Sequence, residues 1–293
     1  MIAADFAALG ILVNPHGPVE QRIPCPRCDH GPTDDALGVN LETGAYHCFR
    51  CGWKGRAGAT SSISRPVVRI DDPELIERKK ARLREIWRET VPLTDPKAYA
   101  VRSYLASRAL GEILLRPALA LRAHPGLKYY EHGDIAIYPA MVALFTGASG
   151  DAVTIHATYL RHDGGAKAPV STPKKLLQVP VRGATRGGAI RLYRPDDAAL
   201  GVAEGIETAL SLSILENIPV WAASSADALE RIQLPRGLRQ LVIGVDLDEN
   251  GKGQAAAKAL AERVARRCKV IYVKPALDAP SDLNDELRRR KFK

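Results

Sequence analysis

The sequence predicts an α/β protein with a small cysteine-rich module in front and a helical, basic stretch between the two parts. Three observations carry this. Two Cys-x-x-Cys pairs, Cys25/Cys28 and Cys48/Cys51, stand nineteen residues apart near the start of the chain. From about residue 199, short apolar runs alternate with helix-period segments, the pattern of a parallel sheet with crossover helices. The acidic residues of that region gather where the apolar runs end, as in VIGVDLDENGKG, Val242 to Gly253.

The 293 residues have room for two modest domains, and 46% apolar with 26% charged residues is ordinary for a folded globular chain. Net charge is +9, which favours a polyanionic partner. The excess is greatest over residues 61–130, with 14 basic against 8 acidic side chains. No apolar stretch approaches the roughly 18 residues of a membrane span. The start, MIAADFAALGILV, has no basic n-region and carries Asp5, so no secretion signal is read and a cytoplasmic protein is expected.

Residues 1–60 read as a metal-binding module. A tight turn over two residues aims both thiolates of a Cys-x-x-Cys pair at one ion, and two such turns complete a tetrahedron. The separation of the pairs matches a zinc ribbon, with Cys25, Cys28, Cys48 and Cys51 holding one structural Zn²⁺ per chain. Leu37–Leu41 and Ala45–Phe49, on either side of Glu42-Thr43-Gly44, read as a hairpin that carries the second pair. Disulfide pairing, or His30 or His47 replacing one cysteine, are the competing readings. Cys268, alone in a helical pattern, reads as a small buried residue.

Residues 61–72 are small and polar and read as a linker. Residues 73–197 form a helical, β-containing basic region. Asp72-Pro73 signals a helix start, with Leu75, Ile76, Leu83, Ile86 and Trp87 on one stripe. Asp95-Pro96 opens a second helix that Gly111 can close. Most of this charge reads as a solvated helix face.

In residues 198–293, strands are expected at Leu200–Ala203, Pro219–Ala222, Leu241–Val245 and Val270–Val273. Helices are expected at Thr208–Glu216, Asp227–Ile232 and Gln254–Arg267. Ligands gather beyond the carboxyl ends of such strands. There Glu204 follows LGVA, with Gly205 to turn the chain, Asp246 and Asp248 follow LVIGV, and Asp282 and Asp285 follow VIYV. The Asp-x-Asp stretch imitates an EF-hand loop, but position twelve is Ala257 in place of the required Glu, and a strand precedes it. Carboxylates so gathered repel one another unless a hard cation, Mg²⁺ or Mn²⁺, sits among them. As single motifs, the same aspartates also read as turn and N-cap residues. No phosphate-binding GxxxxGK[ST] loop is present.

The stretches VAEGIETALS, VDLDENGKGQAA and SDLND resemble the three motifs of Toprim domains, and CPRC…CFRCGWKG resembles the zinc ribbon of bacterial-type, phage and plasmid primases. The order is similar to Toprim-type primases of mobile elements. That resemblance implies a Rossmann-like, mostly parallel Toprim sheet with flanking helices. It implies catalysis by Glu204, Asp246 and Asp248, and Mg²⁺ or Mn²⁺ held by these and Asp282. It also implies a basic nucleotide- and template-binding ridge from Lys167, Lys174, Lys175 and Arg191. Roles for Glu207 and Asp285 stay open. The implied activity is RNA-primer synthesis from ribonucleoside triphosphates on single-stranded DNA, beside a separate replicative helicase. A Toprim nuclease, or a non-enzymatic recombination mediator, are the alternatives.

Overall fold

The computed structural model describes residues 2–28, 35–58, 72–118, 120–131, 134–195, 198–278 and 280–292. The linker expected at 61–72, except Asp72, lies outside these residues, as does His30. The chain forms two compact units, Met1–Arg69 and Ile70–Lys293.

The first unit opens with α1 (Ile2–Ala7) and continues as a four-stranded antiparallel sheet of β1 (Glu20–Ile23), β2 (Leu37–Asn40), β3 (Ala45–Cys48) and β4 (Lys54–Arg56), in that order. The expected hairpin is β2–β3. Its turn is held by the Asn40 carboxamide oxygen, which accepts from the N–H groups of Glu42 and Thr43 at 3.1 and 2.8 Å. β1 and β4 carry no apolar alternation and were invisible to it. The small core consists of Phe6, Ile11, Leu37 and Val39 together with Cys25 and Cys48.

The second unit begins with α2 (Pro73–Arg88), where the Asp72 carboxylate accepts from the Glu74 N–H at 3.0 Å and Pro73 sits where no donor is missed. A 3₁₀ turn at Pro96–Ala98, capped by Asp95, runs into α3 (Tyr99–Ser107). This helix ends before Gly111: Ala109, at φ +59°, makes the left-handed exit, and Gly111 starts another 3₁₀ turn. Next comes an antiparallel sheet of β5 (Leu121–Glu131), β6 (Asp134–Thr146), β7 (Ala152–Tyr159) and β8 (Lys174–Leu176).

The last sheet contains β9 (Ile190–Arg191), β10 (Ala199–Ala203), β11 (Val220–Ala222), β12 (Gln240–Gly244) and β13 (Lys269–Val273), in the spatial order β13-β12-β10-β11-β9. All pairs are parallel except β11–β9. α4 (Ile206–Glu216) and α7 (Leu283–Lys291) pack in one core, α5 (Ala226–Arg231) and α6 (Lys252–Val264) in another. From β10 the chain goes to β11 on one side, and from β12 to β13 on the other. The carboxyl ends of β10 and β12 therefore flank a topological switch point, where such sheets open a crevice. The core under α4 and α7 also takes in Tyr104 and Leu105 of α3 and Met141 and Phe145 of β6, so the middle region and the parallel sheet share one interior. Among the described residues no helix is long and apolar enough to cross a membrane.

Candidate functional site

Glu204 leaves β10 directly after Ala203, and Asp246 leaves the neighbouring β12 two residues after Gly244. Beyond Asp246 the chain stays extended: Leu247 pairs with Ser281 through two backbone hydrogen bonds of 2.8 and 3.1 Å. That bridge carries Asp282 alongside. Glu204, Asp246 and Asp282 line one cleft of about 410 Å³, with Arg108, His156, Lys167, Lys174 and Thr208 among its other walls.

The electrostatics are those of a crowded acidic cluster. Burial, then the neighbouring Asp282 and Glu204 charges, push the Asp246 carboxyl up to about 7, against the opposing pull of the Thr208 hydroxyl. Burial and Asp248 raise Glu204, although Lys174 and the Ala226 N–H oppose them. Asp282 is raised chiefly by burial. Oδ1 of Asp246 is buried without a hydrogen-bond partner among the described residues. A desolvated acceptor beside two further carboxylates suits a hard divalent cation.

Asp248 is outside the lining of this cleft and holds the loop after β12. Its Oδ2 accepts the Gly253 N–H at 2.9 Å and its carbonyl accepts from Gly251 N–H and Gln254 Nε2, both at 3.1 Å, fixing the entry to α6. The GKG that follows has a steric reason: a Cβ on Gly253 would lie 2.8 Å from the Asp246 carbonyl oxygen. Gly205, by contrast, has φ −96°, a conformation any residue adopts. Asp282 also caps α7, accepting the Asp285 N–H at 2.9 Å, while Asp285 returns the bond to the Asp282 N–H at 3.3 Å. Asp285 thus completes a capping box.

The basic wall comes from farther away. Lys174 Nζ donates to Glu207 Oε2 at 2.9 Å, and the Tyr104 hydroxyl donates to Glu207 Oε1 at 2.7 Å. Glu207 is 3% exposed. Burial works to raise its carboxyl, but Lys174, Lys167 and Tyr104 outweigh that and hold it well below the usual carboxylate range. Burial and the adjacent Lys174 push Lys167 down to about 8. Lys175 also borders the cleft, with its ammonium 3.7 Å from the Tyr129 ring centroid. Arg191 does not join them. Its guanidinium lies over Trp221 and donates to the carbonyls of Gly147 and Ala148, both at 3.2 Å. Arg108, Tyr104, His156 and Thr208 join the site without a motif of their own in the sequence. Thr208 lies inside VAEGIETALS, whereas nothing local marks the other three.

In the first unit, the four Sγ atoms of Cys25, Cys28, Cys48 and Cys51 lie within 4.8 Å of one another. Cys25–Cys51 is 3.8 Å and Cys28–Cys48 3.7 Å. A tetrahedron with Zn–S bonds of about 2.3 Å has edges of about 3.8 Å, which these two separations match, so the set suits zinc. The Cys51 N–H points at Cys48 Sγ at 3.4 Å, a donor that favours a thiolate.

Residues 199–291 match the family described as Toprim domain, and this part of the chain is a Toprim domain with a mostly parallel sheet. Residues 77–191 match a second family, described as a domain of unknown function, DUF7146. The four-cysteine cluster ahead of both fits a zinc ribbon. Among solved structures, the chain is similar to the primase fragment of the bacteriophage T7 primase-helicase protein, at 14% identity and TM-score 0.37 over 90% of this chain and 92% of that one. It is also similar to the zinc-binding and RNA polymerase domains of the Aquifex aeolicus primase, at 16% identity and TM-score 0.42 over 99% and 80%. A third is the DnaG primase catalytic domain bound to ssDNA, at 14% identity and TM-score 0.46 over 74% and 77%. No curated protein matches the chain.

Three outcomes are expected. Elemental analysis of protein purified without chelator gives one zinc per chain, and Cys48→Ser lowers it. Glu207→Ala leaves Lys174 without its anion and the Tyr104 hydroxyl unsatisfied, costing about 3 kcal/mol in urea unfolding, at the low end because Lys174 reaches water. The third concerns pH. In metal-free protein, folded Asp246 keeps its proton to about pH 7, whereas unfolded Asp titrates near 3.9. The folded state binds more protons across that window, so this contribution to stability is full below pH ~4 and is lost as pH rises through ~7. Mg²⁺ should therefore raise the melting temperature more at pH 8 than at pH 5.5, and Asp246→Asn should flatten the metal-free profile. Equal Mg²⁺ effects at both pH values count against a cation site here.

Proposed function

We propose that the protein is a DNA primase, a nucleotidyltransferase that makes short RNA primers on a single-stranded DNA template. The observation that carries this is the pairing, in a Toprim domain, of an unpartnered Asp246 oxygen and its neighbouring carboxylates with a wall of cations across the same cleft. One side suits divalent metal and the other phosphate, which together describe the needs of a nucleoside triphosphate.

In this reading Glu204, Asp246, Asp248 and Asp282 hold Mg²⁺ or Mn²⁺. When bound, such ions stabilise charge on the attacking and leaving oxygens of a phosphoryl transfer. The Glu204 carboxylate, desolvated and raised, is suited to take the proton from the attacking 3′-hydroxyl. Lys167 and Lys174 face the triphosphate, with Arg108 supplying a guanidinium that can grip two oxygens. Glu207 sets Lys174 in place through the 2.9 Å pair. Lys175 borders the same cleft and suits the template backbone, whereas Arg191, against Trp221, serves elsewhere.

The four-cysteine module suits the template. Phe49 is 63% exposed, with Arg22 4.1 Å from its ring centroid, and Arg27 lies 4.5 Å from that of Trp53. Phe49 is exposed and Trp53 half-buried, and an aromatic beside a guanidinium group suits stacking on an unpaired base. A separate replicative helicase would supply the single strand.

The test is incubation with single-stranded DNA, Mg²⁺ and ribonucleotides. Wild-type protein should yield new oligoribonucleotides, and Asp246→Asn with Asp248→Asn should abolish them while circular dichroism is unchanged. Full synthesis by that variant removes the proposed site. Shortened DNA in place of new RNA makes the protein a nuclease, and DNA binding with neither product makes it a non-enzymatic mediator.

A further inference from the structure

A second concave surface, apart from the carboxylate cleft, lies where the Toprim domain meets the region that precedes it. Two depressions, of about 640 and 360 Å³, share Ala148, Gln233 and Leu234 and so form one groove. Arg186, Arg231 and Arg263 line its wider part and Arg191 the narrower. Glu230 is the one acid among the described lining residues. Arg194 also borders the narrower part.

The groove is built, not a chance run of surface charge. The Gln233 N–H donates to the Gly187 carbonyl at 2.9 Å, which ties the loop bearing Arg186 to the loop after α5. Gly187, at φ +72°, has no room for a Cβ, which would meet Gln233 Cγ at 2.7 Å. Arg263 donates from Nε to the Glu230 carbonyl at 3.2 Å and from a terminal nitrogen to that of Ile232 at 2.7 Å, and Arg191 is likewise held on backbone carbonyls. Backbone carbonyls orient these two guanidinium groups without cancelling their charge, although the Glu230 carboxylate also acts on Arg263. Arg186 and Arg231 are exposed and have no side-chain hydrogen bond or ion pair among the described residues.

We propose that this groove is a second binding track for a single nucleic-acid strand, engaging its phosphates through Arg186, Arg191, Arg231 and Arg263. Arginine suits phosphate because its planar fork can bind two oxygens at once. A flexible strand can follow a concave floor of Ala148 and Leu234, which a rigid duplex spans without entering. The track is also near the chemistry. Ser225, which caps α5, borders the carboxylate cleft, and Arg231 ends the same helix in the groove. Six helical residues separate the two by roughly 9 Å. A strand leaving the cleft along α5 meets the groove next. The proposal rests on the primase reading only in supposing a nucleic-acid substrate, and its test needs no synthesis.

The experiment measures binding of 5′-fluorescein dT20 and rU20 by anisotropy from low to moderate salt. Single-strand binding releases about 0.7 counterion per phosphate contact, so Arg186→Ala with Arg231→Ala should flatten the log–log salt slope by about 1.4. Affinity at low salt should fall about tenfold or more, at roughly 1.4 kcal/mol per tenfold. Arg186→Lys with Arg231→Lys should keep most of the slope, which a purely structural loss would not allow. A larger loss for dT20 assigns the track to template, and a larger loss for rU20 assigns it to product. An unchanged slope and affinity in the alanine variant overturns the proposal, as does an equal loss for a 20-base-pair duplex. If Asp246→Asn with Asp248→Asn still makes primers, the primase site fails while this measurement stands.

Discussion

Like charges held out of water at the ends of two neighbouring strands are the constraint on which the rest depends. Glu204 and Asp246 emerge side by side because β10 and β12 are hydrogen-bonded neighbours whose connections depart in opposite directions. The same topology that opens the crevice therefore forces the carboxylates together. Burial then raises the cost of their charge, and Asp246 shows it as a carboxyl pushed up to about 7. An arrangement that costs stability without a cation suits one that works with a cation.

The opposite wall is held by a buried pair with an unusual reach. Glu207 on α4 accepts from Lys174 on β8 and from Tyr104 on α3, so one carboxylate joins the parallel sheet's helix to both parts of the preceding region. A buried ion pair is weak evidence for stability, because desolvation offsets much of its Coulomb gain. Its value here is positional. It keeps one ammonium facing the acidic cluster instead of leaving it free on the surface. The common interior under α4, α7, α3 and β6 serves the same end, since elements sharing a core cannot drift apart.

The first unit meets a different constraint. Its apolar core is a handful of side chains, two of which are the fully buried Cys25 and Cys48. Modules this small seldom bury enough surface to stand alone. Two of the sulfur separations, 3.7 and 3.8 Å, match edges of a zinc tetrahedron, and a bound ion there would stand in for a larger core.

What the sequence determined by itself is whatever local spacing encodes. Cys-x-x-Cys needs only a two-residue turn, strands β10 to β13 announce themselves by short apolar runs, and Glu204 and Asp246 by their place at the ends of those runs. Helix α7 escaped because LNDELRRRK has almost no apolar stripe, and its start is set by the Asp282–Asp285 capping box. The tertiary structure alone decided which distant segments meet. The Leu247–Ser281 bridge brings Asp282 to Asp246, the left-handed exit at Ala109 follows Arg108, and pairing of β9 with β11 carries Arg191 to Trp221 and away from the cleft. Such meetings come from strand order and shared burial, which no periodicity in a short window records.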